Sequence, residues 1–321
     1  MPRSARLDIL GVVHHVMARG IEGRPIFRDD RDREEFLRRL AEVVVSGKAQ
    51  LLAWALIPNH YHLVLRPRHM SLKDLMRRLM TGYAGWHNRR HGRRGHLFQN
   101  RYKSIVVEEE PHLLELVRYV SLNPVRARLV GGMEELDAYA YTGHSVILGR
   151  RRYEAQDVDA ILGRFGSRTG EARRRYREFV AGGLGEGRRE EFRGGGLVRS
   201  AGGWEALKRR KREERERGDE RVLGSGEFVE KLLGDEPTVW RAPLRSPEEV
   251  LAEVSRAHGI GAEEILGPSR ERRITRARAE FYRRAQAEAA QTLADLARMT
   301  GRSQPAVWQV VQRHRASVER E

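Results

Sequence analysis

Apolar positions in the first 150 residues alternate between two periods. Strand-like runs occupy residues 11–18 (G-V-V-H-H-V-M-A), 50–56, 61–65 and 105–107; Gly20 and Gly23 break the first, and Pro58-Asn59 and Pro67 bound the third. Helical spacing occupies the intervals. Phe36, Leu37, Leu40, Val43 and Val44 predict a helix over 29–45, capped by Asp29 or Asp30. Leu72, Leu75, Met76, Leu79 and Met80 predict a second helix behind Ser71, extending or restarting through Tyr83, Trp86 and His87. Leu113, Leu114, Leu116 and Val117 predict a third over 111–119, and Pro124 starts or breaks a helix after it. The order strand, helix, strand pair, helix, loop, strand, helix suits an α+β class: an antiparallel sheet with helices packed on one face.

Past residue 149 the pattern weakens. Short helices are expected at 153–165, 171–180 and 227–233, with a Gly-rich connector at 182–196 and a mixed-charge run at 208–217 behind Trp204. Periodicity returns at Ser246-Pro247-Glu248-Glu249, which combines a cap, a proline at the first helical position and acids in the first turn. Helices are expected at 247–258, 262–266, 270–290, 292–298 and 303–313. Leu293, Leu296 and Ala297 would pack against Val307, Val310 and Val311 across a turn at Gly301, which is helix-turn-helix patterning. The chain therefore divides into an α+β domain at 1–149, a helical and Gly-rich connector at 150–245, and an all-α helix-turn-helix domain at 246–321.

Charge narrows the partners. The 321 residues carry 61 Lys plus Arg against 45 Asp plus Glu, a net charge of +16, which favours a polyanion. The absence of cysteine excludes disulfides, thiolate metal sites and cysteine nucleophiles. No apolar run approaches the ~18 residues of a membrane span, and no leader pattern opens the chain, so a cytoplasmic protein without a membrane partner is expected.

Candidate chemistry concentrates near residue 60. His60 and His62 are two apart on a strand, so both imidazoles share one face while Tyr61 and Leu63 take the other. Such a pair is half of a divalent metal site, or else two polar residues on a wet sheet face. Tyr83 and His87 are four apart on a helix and could deliver a phenol and a third imidazole to that face. A tyrosine beside a divalent cation is a suitable nucleophile for phosphodiester transfer; a core-edge tyrosine and a solvated histidine are the simpler alternative. Residues 88–104 (N-R-R-H-G-R-R-G-H-L-F-Q-N-R-Y-K-S) contain no acid and interleave His96, Phe98 and Tyr102 with Arg89, Arg90, Arg93, Arg94, Arg101 and Lys103, a pattern that suits phosphate grip and base stacking; Arg126 and Arg128 add to it. In the last domain Arg302, Ser303, Gln304 and Gln309 are the candidate groove contacts.

The ordered motifs G-V-V-H-H-V-M-A-R-G, P-N-H-Y-H-L-V-L, G-Y-A-G-W-H-N-R-R, G-H-L-F-Q-N-R-Y-K-S and Y-V-S-L-N-P-V-R-A resemble the tyrosine transposases of the IS200-like superfamily, in particular their REP-associated branch, over residues 8–149. The resemblance implies a ferredoxin-like core. It also implies His60 and His62 as ligands of Mg²⁺ or Mn²⁺, Tyr83 as nucleophile and His87 as third ligand. Asn88, Arg101 and Lys103 would lie on the DNA surface, and the chain would be a homodimer acting on single-stranded DNA with hairpins through a 5′-phosphotyrosine link. Residues of the last domain, including L-A-D-L-A-R-M-T-G-R-S-Q-P-A-V, resemble the duplex-DNA-binding domain of the replication initiator DnaA, which implies contacts from Arg276, Arg278, Arg302 and Ser303. The usual His-Ser-Thr-Val part of that turn is only approximate here. The rival functions are a non-catalytic regulator that binds DNA or RNA hairpins and a metal-dependent nuclease that cuts without a covalent link.

Overall fold

The computed structural model describes residues 6–186, 192, 219–233, 246–289, 291 and 293–318. Trp204 and the charged run at 208–217 lie outside them. The described residues separate into two compact units: those within 1–158 and 173–240, and those within 159–172 and 241–321.

The first unit is built on one sheet. Strands β1 (Val13–Arg19), β2 (Gln50–Ile57), β3 (His60–Arg66) and β4 (Lys103–Val107) lie in the order β2-β3-β1-β4, all antiparallel, and the short β5 (Val222–Leu223) extends the β4 edge in parallel. β1 is central, and pairs Met17 with His62 on one side and with Lys103 on the other. The Pro58-Asn59 turn joins β2 to β3, where Ile57 pairs with His60.

Helix α1 (Asp30–Ser46) begins at Asp29, whose side chain accepts from the Asp32 amide; α2 (Leu72–Arg90) begins at Ser71, whose hydroxyl accepts from the Asp74 amide. α2 runs unbroken through Gly82 and Gly85. Its apolar stripe and that of α1 cover one sheet face, burying Phe27, Phe36, Leu40, Tyr61, Leu63, Leu79 and Tyr83 in one cluster. Each such apolar side chain withdrawn from water contributes about 1.5–3 kcal/mol. That strand order with these two helices on one face is the ferredoxin-like arrangement.

The other face is covered too, by α3 (Glu109–Ser121) and α4 (Asn123–Arg126). Helices therefore lie on both faces rather than one. The histidine face contains Val13 and His15 besides His62, all buried, so it needs a cover. The unit also extends past 149: Ala55 bridges Thr142, Leu51 bridges Gln156, and the Gln156 carboxamide accepts from the Trp54 indole at 2.9 Å. Tyr176, within the expected connector, is fully buried and hydrogen-bonds Ser121 at 3.0 Å.

The second unit is helical beyond 246, with α5 (Pro247–His258), α6 (Ala262–Leu266), α7 (Arg272–Glu288), α8 (Leu293–Thr300) and α9 (Gln304–Val318). Ser246 and Glu249 complete a reciprocal capping box, and Gly259 closes α5 at φ 59°. Gly301 turns α8 into α9 at φ 61°, a left-handed position where a side chain is strained. Leu296 and Ala297 share one buried cluster with Val307 and Val311, as helix-turn-helix packing requires.

Candidate metal and nucleic-acid site

Strand alternation sets up the site. Tyr61 points into the apolar layer, its ring 4.9 Å from Phe36, so His60 and His62 face the other way, 5.1 Å apart between rings. Each imidazole is oriented by a neighbour. His60 Nδ1–H donates to Asn59 Oδ1 at 2.7 Å, and His62 Nδ1 shares a 2.9 Å hydrogen bond with His15 Nε2, the two rings stacked. With both Nδ1 atoms engaged, Nε2 is the nitrogen that each ring could offer to an ion. His15 is buried, which pushes its pKa down to about 3 and keeps it neutral as that orienting group.

The pair opens on a cavity of about 600 Å³. Arg19, Arg101 and Lys103 line it from the β1 and β4 side, and Tyr119, Asn123 and Arg126 from α3 and α4. Arg101 and Lys103 are exposed. Tyr119 stands edge-on to His62 and His15, with ring centroids 5.9 and 6.1 Å away, and is 7% exposed. The Arg126 guanidinium lies 4.8 Å above the Tyr119 ring and also donates to the Tyr119 carbonyl at 2.9 Å. Asn123 Nδ2 donates to the same carbonyl at 2.9 Å, so its Oδ1 is the atom it can offer to a ligand.

Tyr119, Asn123 and Arg126 are at i, i+4 and i+7 on consecutive helices broken at Leu122, which places them on one side. Tyr119 and Asn123 are absent from the sequence candidates. The spacing Y-x₃-N-P-x-R was the available signal, but it reads equally as an amphipathic helix end.

Tyr83 and His87 are not brought to the His60/His62 face. α2 packs on the opposite side of the sheet: the Tyr83 ring sits 5.2 Å from Phe36 and 5.7 Å from Phe27, and its hydroxyl donates to the Ile26 carbonyl at 2.5 Å. Tyr83 is fully buried, and burial pushes its pKa well above the usual phenol value. The cause is simple. The i, i+4 relation puts Tyr83 and His87 on one helix face, but that face belongs to the layer that also receives Tyr61.

His87 instead joins Asp32 and His91. Their ligand atoms all lie within 4.8 Å of one another, a His/His/Asp cluster able to coordinate a metal ion. Burial pushes the His87 pKa down to about 4.

The basic stretch divides. Arg89 and Arg94 are exposed and Arg93 is half-buried. Arg90 is not available to a phosphate: it holds Asp29 through two hydrogen bonds of 2.8 and 2.7 Å and also pairs with Asp32. Asn88 is turned inward on its own loop, donating to the Gly95 carbonyl at 2.8 Å. Tyr102 is buried beneath the Arg6 guanidinium at 4.3 Å, and Phe98 packs against Tyr61, so neither presents a face for base stacking.

In the helical unit Arg276 and Ser303 are exposed and Gln304 is half-buried. Arg278, at 2% exposure, is spent on the fold: it donates to the carbonyls of Ile265, Ser269, Gly267 and Glu264 at 2.6, 2.9, 2.7 and 3.3 Å. Arg302 donates to Gly267 and Ser269 carbonyls at 2.9 and 3.4 Å. Both were expected on DNA. Their guanidiniums saturate the backbone of the turn after α6, which has no helical partner of its own.

Residues 10–123 match the family described as "Transposase IS200 like". The matched stretch contains His60, His62 and Tyr119, and the N-terminal domain is thus similar to the IS200-type tyrosine transposases. Among solved structures, one described as "Structure of the REP associates tyrosine transposase bound to a REP hairpin" is 16% identical over 49% of this chain and 90% of its own, with a TM-score of 0.37, and has no weight for the site at that score. No curated protein matches the chain. No described helix is long and apolar enough to cross a membrane.

Proposed function

We propose that the first unit is a metal-dependent endonuclease and strand transferase of hairpin-bearing single-stranded DNA, with Tyr119 as nucleophile. The observation behind this reading is the convergence of Tyr119 and the His60/His62 pair on one basic cavity.

Two imidazole Nε2 atoms and the Asn123 amide oxygen would form a mixed nitrogen–oxygen donor set for a divalent ion, one that matches Mn²⁺ better than Mg²⁺ because imidazole is the softer donor. When bound, such an ion supplies Lewis-acid polarisation of the scissile phosphate. The chain supplies the rest. Arg101 and Lys103 hold the phosphates that flank the reacting one. Arg126, over the Tyr119 ring and bonded to the Tyr119 carbonyl, holds the nucleophile in place. The Tyr119 oxygen bonds to phosphorus as the phosphorus–O3′ bond breaks. The phenol proton passes to solvent and the departing 3′ oxygen is protonated from solvent. The product is a 5′-phosphotyrosine and a free 3′-OH. Because the phosphodiester energy is retained in that link, attack by a second 3′-OH reverses the chemistry on a new strand.

The test uses labelled single-stranded hairpins from DNA flanking the gene, with Mn²⁺, on a denaturing gel. A shifted covalent band is expected from the wild type and from Tyr83→Phe, and none from Tyr119→Phe. Hairpin binding without any band in the wild type would overturn the enzyme reading and leave the non-catalytic regulator. Cleavage without a band would leave hydrolysis.

We further propose that α9 enters the major groove of duplex DNA, with Arg276, Ser303 and Gln304 as contacts, and that the chain acts as a homodimer. Gel-shift titrations of Gln304→Ala and Arg276→Ala on duplex DNA, and sedimentation of the free protein, test the two statements. A homodimer reading does not survive a monomer at working concentration.

A further inference from the structure

The Asp32/His87/His91 cluster lies in the layer formed by α1 and α2, on the opposite side of the sheet from the cavity. The proposed reaction does not use it. His87 and His91 are four apart, at the last turn of α2, so both imidazoles project from one helix face; their rings are 4.4 Å apart. Asp32 comes from the first turn of α1 and is fully buried.

His87 is the telling residue. It is fully buried, and neither ring nitrogen has a hydrogen-bond partner. A buried imidazole with two unmet nitrogens is destabilising unless something fills the gap. The nearest carboxylate oxygen, Asp32 Oδ2, is 3.8 Å from His87 Nε2, too far for a hydrogen bond. It is close to the separation of two ligands that each sit about 2.0–2.2 Å from one cation. His91 Nε2 hydrogen-bonds both Asp32 oxygens at 3.0 Å, a contact that an ion between them would replace, so the third donor faces the same carboxylate.

We propose that Asp32, His87 and His91 form a second cation site, of the zinc class, that clamps the start of α1 to the end of α2. Two imidazoles and one carboxylate are the donor set of a zinc-type ion rather than of Mg²⁺, with water as the fourth ligand. The end of α2 also favours a cation, because the last carbonyls of a helix carry partial negative charge. Competing cations are present: Arg90 pairs with Asp32 and lies 3.4 Å from His91 Nε2, and Arg28 and Arg93 also act on His87. Arg90 is also held by both oxygens of Asp29, so it keeps a two-pronged partner when Asp32 turns to a metal. Asp32 Oδ2 accepts from the Arg28 amide at 2.8 Å, which fixes the carboxylate in place for either partner.

The full chain, stripped with chelator, is titrated with Co²⁺ and followed by the visible d–d bands of tetrahedral cobalt. The bands are expected in the wild type and in the His60→Gln/His62→Gln double variant, and are expected to vanish when His91→Gln is added to the double variant. Bands absent from the double variant, or unchanged when His91→Gln is added to it, would overturn the proposal. Thermal unfolding gives a reading independent of whether His91→Gln folds. Zn²⁺ is expected to raise the melting temperature of the double variant, whose cluster is intact, and an unchanged melting temperature counts against the site. Neither readout depends on DNA cleavage, so failure of the transesterase reading leaves this one standing.

Discussion

Replacing Tyr83 with Phe separates a structural tyrosine from a catalytic one. The substitution leaves the ring where it is, against Phe27, Phe36 and Trp86, and removes only the hydroxyl. That hydroxyl donates to the Ile26 carbonyl in a fully buried position. The apolar contribution is unchanged, so the cost is a buried acceptor left without its donor. An unsatisfied buried carbonyl costs about 1–3 kcal/mol, which places the destabilisation at roughly 2 kcal/mol. For a unit of 150–250 residues, each kcal/mol moves the melting temperature by about 2–4 °C, so a fall of about 4–8 °C is expected. Differential scanning calorimetry measures it, and the covalent-band assay on the same preparation measures chemistry below the new transition. Tyr83→Phe should form the DNA adduct at the wild-type level. A variant as stable as the wild type that forms no adduct would refute both the burial argument and the choice of Tyr119.

The same geometry sets other outcomes. Arg278→Met keeps the stem but removes the donors of four backbone carbonyls. The helical unit should lose at least about 3 kcal/mol in urea unfolding, and a loss under about 1 kcal/mol would return Arg278 to the DNA contacts. Acid should destabilise the first unit early. His15 and His87 titrate in the fold at about 3 and about 4 against 6.5 in the unfolded chain, so the unfolded state takes up protons first and stability falls as pH drops from about 6.5 to 4. A melting temperature constant between pH 7 and pH 5 would contradict the burial of these imidazoles. Alkali should act in the opposite direction. Burial raises the folded pKa of Tyr61, Tyr83 and Tyr176, so their contribution is complete below the unfolded value near 10 and is lost as pH rises past it; the absorbance change from ionising these three should appear only with unfolding. Arg101→Ala/Lys103→Ala should flatten the salt dependence of single-strand binding by about 1.4 in log–log slope, two phosphate contacts at about 0.7 each, and an unchanged slope would place the strand elsewhere.

Period decides which side of its own element a residue takes, and that much is local. The two-residue spacing of His60 and His62 put both imidazoles opposite Tyr61 whatever else the chain did. The cap residues Asp29, Ser71 and Ser246 marked helix starts because an unpaired amide needs an acceptor within three residues, and Gly301 marked a turn because its φ is positive. The α+β layer and the helical unit after it were legible for that reason.

Which elements face each other is not a local property. A helix stripe has the same sequence signature on either side of a sheet, so nothing in α2 or α3 alone says which one covers the histidines. The crossover connections decided it, and they placed Tyr119 beside His62 and Tyr83 beneath Phe36. Charge is equally ambiguous along a chain. Arg90, Arg278 and Arg302 read as phosphate contacts because arginine usually stays solvated. They became structural where folding brought two carboxylates to the first and exposed carbonyl groups to the others. The same convergence joined Asp32 to His87 and His91 across some sixty residues of chain, a distance over which neither spacing nor composition conveys information and only the packing of α1 on α2 does.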